Sequence, residues 1–214
     1  MKKIKGIIFD LDGVIVFTDK FHYLAWKDMA DSINTYFDET INNRLRGVSR
    51  MASLEIILEK YKGKPLSQEE KEALAEKKNT LYREYLKTMT PKDVTQEVRD
   101  TLTELRRRGY KLSIGSSSKN AKFILERVDL TSYFDAISDG TNITKSKPDP
   151  EVFLKGAEFL GLRPEECAVV EDAYAGIDAA KDGGMLGVAI GDATNYRRSD
   201  YCLTTFGDLL KLFK

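Results

Sequence analysis

Residues 4–14, IKGIIFDLDGV, decide the fold of this chain. The first six of them, IKGIIF, are short and nearly continuous in apolar character, and the run stops at Asp10 and Gly13. Such a segment predicts a strand that is buried on both faces and followed by a turn. The patterns that follow it along the chain predict what surrounds that strand.

Strand and helix patterns alternate after Pro91. The predicted helices span residues 98–108, 119–128, 151–160 and 174–182. The predicted strands span residues 110–115, 134–138, 168–170 and 186–190, with residues 201–204 as a last short strand before a closing helix. This alternation with short connections predicts a parallel sheet with right-handed crossovers.

Residues 18–88, in contrast, show almost only helical periodicity, as in the spacing of Phe21, Ala25 and Met29. Ser67, followed closely by acidic residues, suits the start of the last of these helices. The sequence therefore predicts an α/β fold in which a Rossmann-like parallel-sheet core is flanked by helices. Residues 1–16 and 90–214 form this core, and residues 17–89 are an inserted all-α helical cap.

The composition excludes several classes of protein. The 214 residues carry 34 Lys and Arg against 34 Asp and Glu, and this zero net charge argues against a general nucleic-acid binder. No apolar stretch approaches the roughly 20 residues of a membrane helix, and the N-terminal apolar run is shorter than the roughly 7 to 15 residues of a secretory signal. We therefore expect a cytoplasmic chain with neither a nucleic-acid nor a membrane partner. Cys167 and Cys202 lie in apolar contexts, and with one His in the chain we expect buried free thiols rather than a zinc site.

Reactive side chains follow the predicted strands, at the sheet edge where open parallel sheets bind ligands. They are Asp10 and Asp12, the run Ser116, Ser117, Ser118, Lys119 and Asn120, then Lys147, and finally Glu171 and Asp172. Four carboxylates so close together repel one another unless a divalent cation neutralises them. The hard oxygen ligands favour Mg²⁺.

A metal, a hydroxyl and a lysine around a carboxylate suit phosphoryl transfer through an aspartyl phosphate. Asp10 and Asp12 allow two separate roles, because one acid has to be an ionised nucleophile while its neighbour moves a proton.

The motifs FDLDGV, IGSSS, KPDP and VVEDA resemble those of the haloacid dehalogenase-like superfamily. The resemblance spans the whole chain and includes the helical cap. It implies that Asp10 is the nucleophile and Asp12 the general acid and base. It also implies that Mg²⁺ is held by Asp10, the Asp12 carbonyl, Asp172 and, directly or nearby, Glu171. The remaining residues that it implies bind the transferring phosphoryl group: Ser116, Lys147 and the amide of Ser117.

Within the superfamily, the insert resembles that of sugar-phosphate mutases through HYLAW, RGVSR and KKN, and the core does so through SSSKN. This implies interconversion of β-glucose 1-phosphate and glucose 6-phosphate through β-glucose 1,6-bisphosphate. Such an enzyme has to hold a second phosphate, for which Arg50 offers bidentate contacts. The residues implied for the substrate and this second phosphate are Thr18, His22, Trp26, Gly47, Val48, Arg50, Lys78, Asn79, Ser118, Lys119 and Asn120.

Other interpretations stay open at this point. A Mg²⁺-dependent sugar-phosphate phosphatase needs the same core residues without the second-phosphate cluster, and a phospho-accepting signalling domain needs no inserted cap. A dinucleotide-binding dehydrogenase is disfavoured, because no GxGxxG follows a strand. Phe17 and Ala173 depart from the family pattern. We expect a monomer, and the sequence leaves the Lys147–Pro148 bond open between cis and trans.

Several candidate residues also have a purely structural interpretation. His22 and Trp26, four residues apart, share a helix face and are as well suited to packing as to ligand binding. Thr18 suits a helix cap. Lys78 lies in a charged run in which most lysines are solvated, and neighbouring Lys77 is an example of that alternative.

Overall fold

The strands of this computed structural model, which describes residues 3–45 and 49–214, form one sheet of six parallel strands within the described part of the chain. They are β1 (Gly6–Phe9), β2 (Lys111–Gly115), β3 (Ala136–Ser138), β4 (Cys167–Glu171), β5 (Leu186–Ala189) and β6 (Tyr201–Cys202). The strand order is β3-β2-β1-β4-β5-β6, and all neighbouring strands pair in parallel. The predicted α/β fold is confirmed.

Strand β1 lies inside the sheet because its residues can be buried on both faces. Ile7, Ile8 and Phe9 have no solvent exposure, as the uninterrupted apolar run predicts. The strand pairs with β2 on one side and β4 on the other. The strand order reverses beside β1, and the carboxyl end of the strands at such a reversal is where open α/β sheets bind ligands. Asp10 and Asp12 follow β1 at this point.

The helices agree with the periodicity of the sequence. They are α1 (Asp19–Ser32), α2 (Glu39–Asn43), α3 (Arg50–Leu58), α4 (Gln68–Leu86), α5 (Gln96–Arg107), α6 (Ala121–Arg127), α7 (Glu151–Phe159), α8 (Tyr174–Asp182) and α9 (Leu209–Leu212). Ser67 begins α4 with a reciprocal capping box to Glu70, which confirms its predicted role as a cap. None of the helices in the described residues is long and apolar enough to cross a membrane.

The chain divides into two units. One, the core unit, comprises Met1–Phe17 and Met89–Lys214 and contains the sheet. The other, the helical unit, is Thr18–Thr88 and contains α1 to α4. Each has its own apolar core, with Ile8 and Val169 in the first and Trp26 and Leu54 in the second.

Three local features differ from the sequence-based expectations or complete them. Cys167 is buried, but Cys202 is exposed, so its predicted burial is wrong. Its strand, β6, has two residues and lies at the edge of the sheet, where one side has no partner strand among the residues that the structure describes. Helix α6 begins at Ala121 rather than at residue 119, because the preceding serines bind backbone amides in turns. The Lys147–Pro148 bond is cis.

Candidate active site

The core-unit site is organised by an ammonium group between two carboxylates. Lys147 Nζ contacts Asp10 Oδ1 and Glu171 Oε1, and all three side chains are nearly buried. Asp10 directly follows β1, and its amide donates to the Val170 carbonyl on β4 (2.9 Å). The neighbouring strands β1 and β4 therefore place the two acids so that one lysine reaches both.

Electrostatics within this group are strong because water is largely excluded. Burial alone lowers the pKa of Lys147, but the Asp10 and Glu171 carboxylates raise it above its ordinary value overall. Burial raises the pKa of Asp10, as do the Glu171 and Asp12 carboxylates, and Lys147 offsets this only in part. The Lys147 ammonium therefore does not outweigh the effect of burial and of the neighbouring acids on Asp10.

Glu171 is held by more than Lys147. Its Oε2 accepts a hydrogen bond from the Ala173 amide (2.9 Å), and its Oε1 lies where a Cβ atom on Gly176 would be only 1.9 Å away. The sequence analysis did not single out Gly176. Its role could have been suspected only because it is an isolated glycine within a predicted helix, one turn after the acid pair.

Asp172 lies against the turn that follows β1. A Cβ on Gly13 would be 2.1 Å from Asp172 Oδ2, and Gly13 has φ +89°, so both space and backbone conformation require glycine there. Burial, followed by the Glu171 charge, raises the pKa of Asp172 to about 7, with a further contribution from Asp12 and opposition from Lys147. The turn itself is closed by the Gly13 amide, which donates to the Val16 carbonyl (2.7 Å).

The predicted phosphate-binding run forms two consecutive turns after β2. Ser116 Oγ accepts from the Ser118 amide (3.1 Å), and Ser118 Oγ accepts from the Asn120 amide (3.2 Å). Ser116 and Asn120 are buried, whereas Lys119 is exposed. Ser117 Oγ is buried without a hydrogen-bond partner among the described residues. An orphaned buried hydroxyl in a loop of this kind is a group that a bound anion can satisfy.

The donor set fits Mg²⁺. No group of three or more His, Cys, Asp or Glu side chains in residues 3–45 and 49–214 is arranged to hold a metal ion. Mg²⁺ needs fewer, because it usually keeps several waters and is bound by one or two carboxylates together with substrate phosphate oxygens. Burial, together with the neighbouring carboxylates, raises the pKa values of Asp10 and Asp172, and a divalent cation would favour their ionised forms.

The predicted substrate residues of the helical unit form a second cluster. Lys78, only 4% exposed, has its Nζ 2.9 Å from His22 Nδ1 and lies over the Trp26 and Tyr82 rings at 4.8 and 4.6 Å. His22 stacks on Tyr82 with a centroid distance of 4.1 Å. Burial, with repulsion from Lys78 and Arg50, lowers the pKa of His22 well below its usual value, so the imidazole is neutral. The solvated-lysine interpretation thus describes exposed Lys77 but not Lys78.

The other candidates in this unit have defined surroundings. Arg50 donates to Asn79 Oδ1 (2.9 Å) and forms a longer contact of 3.4 Å with Glu76. Trp26 packs in the apolar core of the unit. Thr18 occupies the N-cap position of α1 without a capping hydrogen bond from its side chain, and its Oγ1 accepts from Tyr82 (3.1 Å). Gly47 and Val48 lie outside the described residues.

Comparison with known proteins identifies the family of this chain. Residues 4–184 match the model of the haloacid dehalogenase-like hydrolases, and the chain belongs to that family. It is an enzyme of this family, as the motifs predicted.

Individual members of the family are similar to this chain over most of its length. The chain is 40% identical over 211 residues to a β-phosphoglucomutase of Bacillus subtilis, covering 96% of this chain and 91% of that protein. It is 31% identical to a phosphorylated carbohydrates phosphatase of Thermotoga maritima, covering 85% of this chain and 82% of the other. The crystal structure of a β-phosphoglucomutase from Clostridium difficile superposes with a TM-score of 0.87 at 35% identity, covering 96% and 93% of the two chains.

Proposed function

We propose that this chain is a phosphotransferase that interconverts β-glucose 1-phosphate and glucose 6-phosphate through β-glucose 1,6-bisphosphate. The observation that supports phosphoryl transfer is the contact of the Lys147 ammonium with the Asp10 and Glu171 carboxylates, which lie at the carboxyl ends of two neighbouring strands. A mutase is favoured because the chain is 40% identical to a β-phosphoglucomutase over 96% of its length, whereas it is 31% identical to the phosphatase described above.

In this proposal Asp10 is the nucleophile. Its carboxylate oxygen bonds to phosphorus as the phosphorus–oxygen bond of the bisphosphate breaks, which leaves an aspartyl phosphate and a sugar monophosphate. Asp12 gives a proton to the leaving sugar oxygen and takes one from the sugar hydroxyl that attacks in the return step. Lys147, Ser116 and the Ser117 amide bind the phosphoryl oxygens.

The proposed Mg²⁺ ligands are Asp10, Asp172 and the Asp12 carbonyl. When bound, Mg²⁺ supplies positive charge that offsets the charge of the transferring phosphoryl group. Glu171 is the outer member of the set, since its two oxygens already accept from Lys147 and from the Ala173 amide. It therefore orients Lys147.

The helical unit serves as the substrate cap in this proposal. Lys78 is a buried cation of the helical unit and Arg50 is a partly buried one, and a second, non-reacting phosphate requires such charges. Arg50 in the helical unit and Ser118, Lys119 and Asn120 in the core unit are proposed for that phosphate. Thr18, His22, Trp26 and Asn79 are proposed to support the sugar and these cations.

The test is phosphorus NMR of the protein with Mg²⁺, β-glucose 1-phosphate and a trace of β-glucose 1,6-bisphosphate. We expect glucose 6-phosphate to accumulate without stoichiometric inorganic phosphate, and Asp10→Asn to abolish this turnover. Release of inorganic phosphate with free glucose makes the protein a sugar-phosphate phosphatase and overturns the mutase proposal. Turnover near that of the unsubstituted protein after Asp10→Asn overturns the nucleophile.

Arg50→Ala tests the second-phosphate role separately, with Lys77→Ala as a control on an exposed lysine of the same unit. We expect Arg50→Ala to reduce mutase turnover far more than it reduces hydrolysis of acetyl phosphate, which has no second phosphate. Equal losses in the two reactions contradict the role of Arg50.

A further inference from the structure

A stacked pair of tyrosines lies beside Asp172, outside the residues used so far. The rings of Tyr174 and Tyr196 are 4.4 Å apart and inclined by 10°. Tyr174 is the first residue of α8 and is 50% exposed. An exposed aromatic ring packed face to face on a second one indicates a specific contact between two chain segments rather than general core packing.

The first of these segments leads directly from Asp172. Strand β4 ends at Glu171 and α8 begins at Tyr174, so Asp172 and Ala173 are the whole connection. The position of Asp172 thus depends on where α8 begins, and the Tyr174 ring marks that point.

The second segment, residues 190–196, packs behind the same acid. The Ile190 amide donates to the Glu171 carbonyl (2.9 Å), and a Cβ on Gly191 would be in contact with Asp172 Cβ at 3.7 Å. On its other side, the Asp172 carboxylate lies against Gly13. The Asp172 side chain is therefore enclosed between the turn after β1 and the turn after β5.

Tyr196 ties the end of this second segment to α8. Its hydroxyl donates to Asp178 Oδ1 (2.8 Å), and Arg198 forms ion pairs with Asp178 and Asp182 on the same helix. Tyr196 also packs against the small apolar cluster of Ile177, Ala189 and Ala193. The segment behind Asp172 is thus anchored at Ile190 and again at Tyr196.

We infer that Tyr174 and Tyr196 are positioning residues that hold Asp172 ready to bind Mg²⁺. The inference rests on the proposed role of Asp172 as a metal ligand. The two rings do not contact the metal; they fix α8 and residues 190–196 against each other and so confine the carboxylate between Gly13 and Gly191. Confining a ligand before the metal arrives reduces the ordering that binding has to impose on it.

The experiment measures Mg²⁺ affinity by calorimetry on the purified full-length protein without substrate. Tyr174→Ala removes the more exposed ring of the stacked pair, so the truncation opens no cavity in the core. We expect its dissociation constant for Mg²⁺ to rise by about three- to tenfold, below the roughly 10- to 100-fold that direct outer-shell partners of metal ligands contribute. Tyr174→Phe keeps the ring and is expected to bind Mg²⁺ as the unsubstituted protein does. Tyr36→Ala, at another exposed tyrosine, is the matched control.

A second readout separates positioning from a general structural effect. Turnover of Tyr174→Ala should be low at limiting Mg²⁺ and return to the level of the unsubstituted protein at saturating Mg²⁺. Tyr36→Ala is the reference variant, and its urea midpoint should be unchanged. A loss that excess Mg²⁺ does not restore, or an unchanged dissociation constant, overturns the inference.

Asp172→Asn keeps the two proposals distinguishable. Weak Mg²⁺ binding by Asp172→Asn together with unchanged binding by Tyr174→Ala leaves the metal site standing and overturns only the positioning role. Mg²⁺ binding unaffected by Asp172→Asn overturns the ligand role of Asp172, and the positioning role with it.

Discussion

At Gly176 a missing side chain leaves room for the Glu171 carboxylate, which lies against the first turn of α8. Glu171 is 1% exposed and forms an ion pair with Lys147. Its carboxylate therefore cannot move without moving the ammonium group that contacts Asp10. A glycine within a helix costs about 1 kcal/mol relative to alanine. Here the space that it leaves outweighs that cost.

We therefore predict that Gly176→Ala reduces phosphoryl transfer, although alanine is the better helix former. The added Cβ would lie 1.9 Å from Glu171 Oε1, and a displacement of about 1 Å in such a site costs up to about 100-fold in rate. Turnover and urea unfolding measured together check this. Gly187→Ala is the control, because its nearest neighbour is the flexible Lys181 side chain at 3.3 Å. Unchanged turnover for Gly176→Ala contradicts the role given to Glu171.

His22 gives a prediction about pH. Burial and the Lys78 and Arg50 charges lower its pKa in the folded chain well below 6.5, whereas the unfolded chain keeps the ordinary value. As pH falls below about 6.5, the unfolded chain binds a proton that the folded chain does not, so the free energy of unfolding should decrease, by at most about 1.4 kcal/mol per pH unit. Well above that pH His22 is neutral in both states, so its protonation no longer makes the free energy of unfolding depend on pH.

The measurement is urea unfolding between about pH 7.5 and 5.5, with His22→Gln as the non-titrating control. The difference between the two proteins isolates the histidine, and because the chain has one His, its imidazole proton signal can be followed without ambiguity. Titration of that signal near pH 6.5 in the folded protein would show that the imidazole is not held neutral.

At the scale of elements, α4 shows how a long surface helix is fixed at its start. Ser67 Oγ accepts from the Glu70 amide (3.2 Å), and Glu70 Oε2 accepts from the Ser67 amide (2.7 Å). These bonds satisfy two amides that have no partner within the helix. The same helix carries Lys78 and Asn79, so the cap stabilises the element that positions both.

Ser67→Ala is expected to lower the free energy of unfolding of the helical unit by about 1 kcal/mol. Ser67→Thr keeps the capping hydroxyl and should lose much less. Fluorescence of Trp26, the single tryptophan, monitors unfolding of this unit. An equal loss in both variants would mean that the hydroxyl does not cap the helix in solution.

At the scale of the whole molecule, the two units have separate apolar cores. A chain built in this way need not unfold as one cooperative unit. Trp26 lies in the helical unit, so its fluorescence reports on the unfolding of that unit, whereas far-UV circular dichroism reports on all helices.

The monomeric state and the cytoplasmic location stay predictions.

We expect Leu54→Ala to move the Trp26 fluorescence transition to lower urea, since truncating a fully buried leucine costs about 2 to 5 kcal/mol. Val169→Ala, in the core of the other unit, should instead move the circular dichroism transition and leave the fluorescence transition in place. Coincident transitions that both substitutions shift equally would show that the units unfold together.

The sequence by itself determined the family, the parallel sheet and the carboxyl edge at which the reactive residues gather. These follow from local pattern, because an uninterrupted apolar run such as residues 4–9 is stable only when buried on both faces and because consecutive parallel strands present their ends at one edge. That Asp10, Lys147 and Glu171 gather at this edge could thus be predicted before any contact was known.

Only the tertiary structure decided which groups touch. Residues far apart in the chain, such as Lys147 and Asp10, Lys78 and His22, or Tyr196 and Tyr174, meet through packing that local periodicity does not encode. The need for glycine at 176 depends in the same way on where the Glu171 carboxylate lies. Exposed Cys202 shows the converse, since its apolar neighbours suggested burial but its place on a two-residue edge strand left it in solvent.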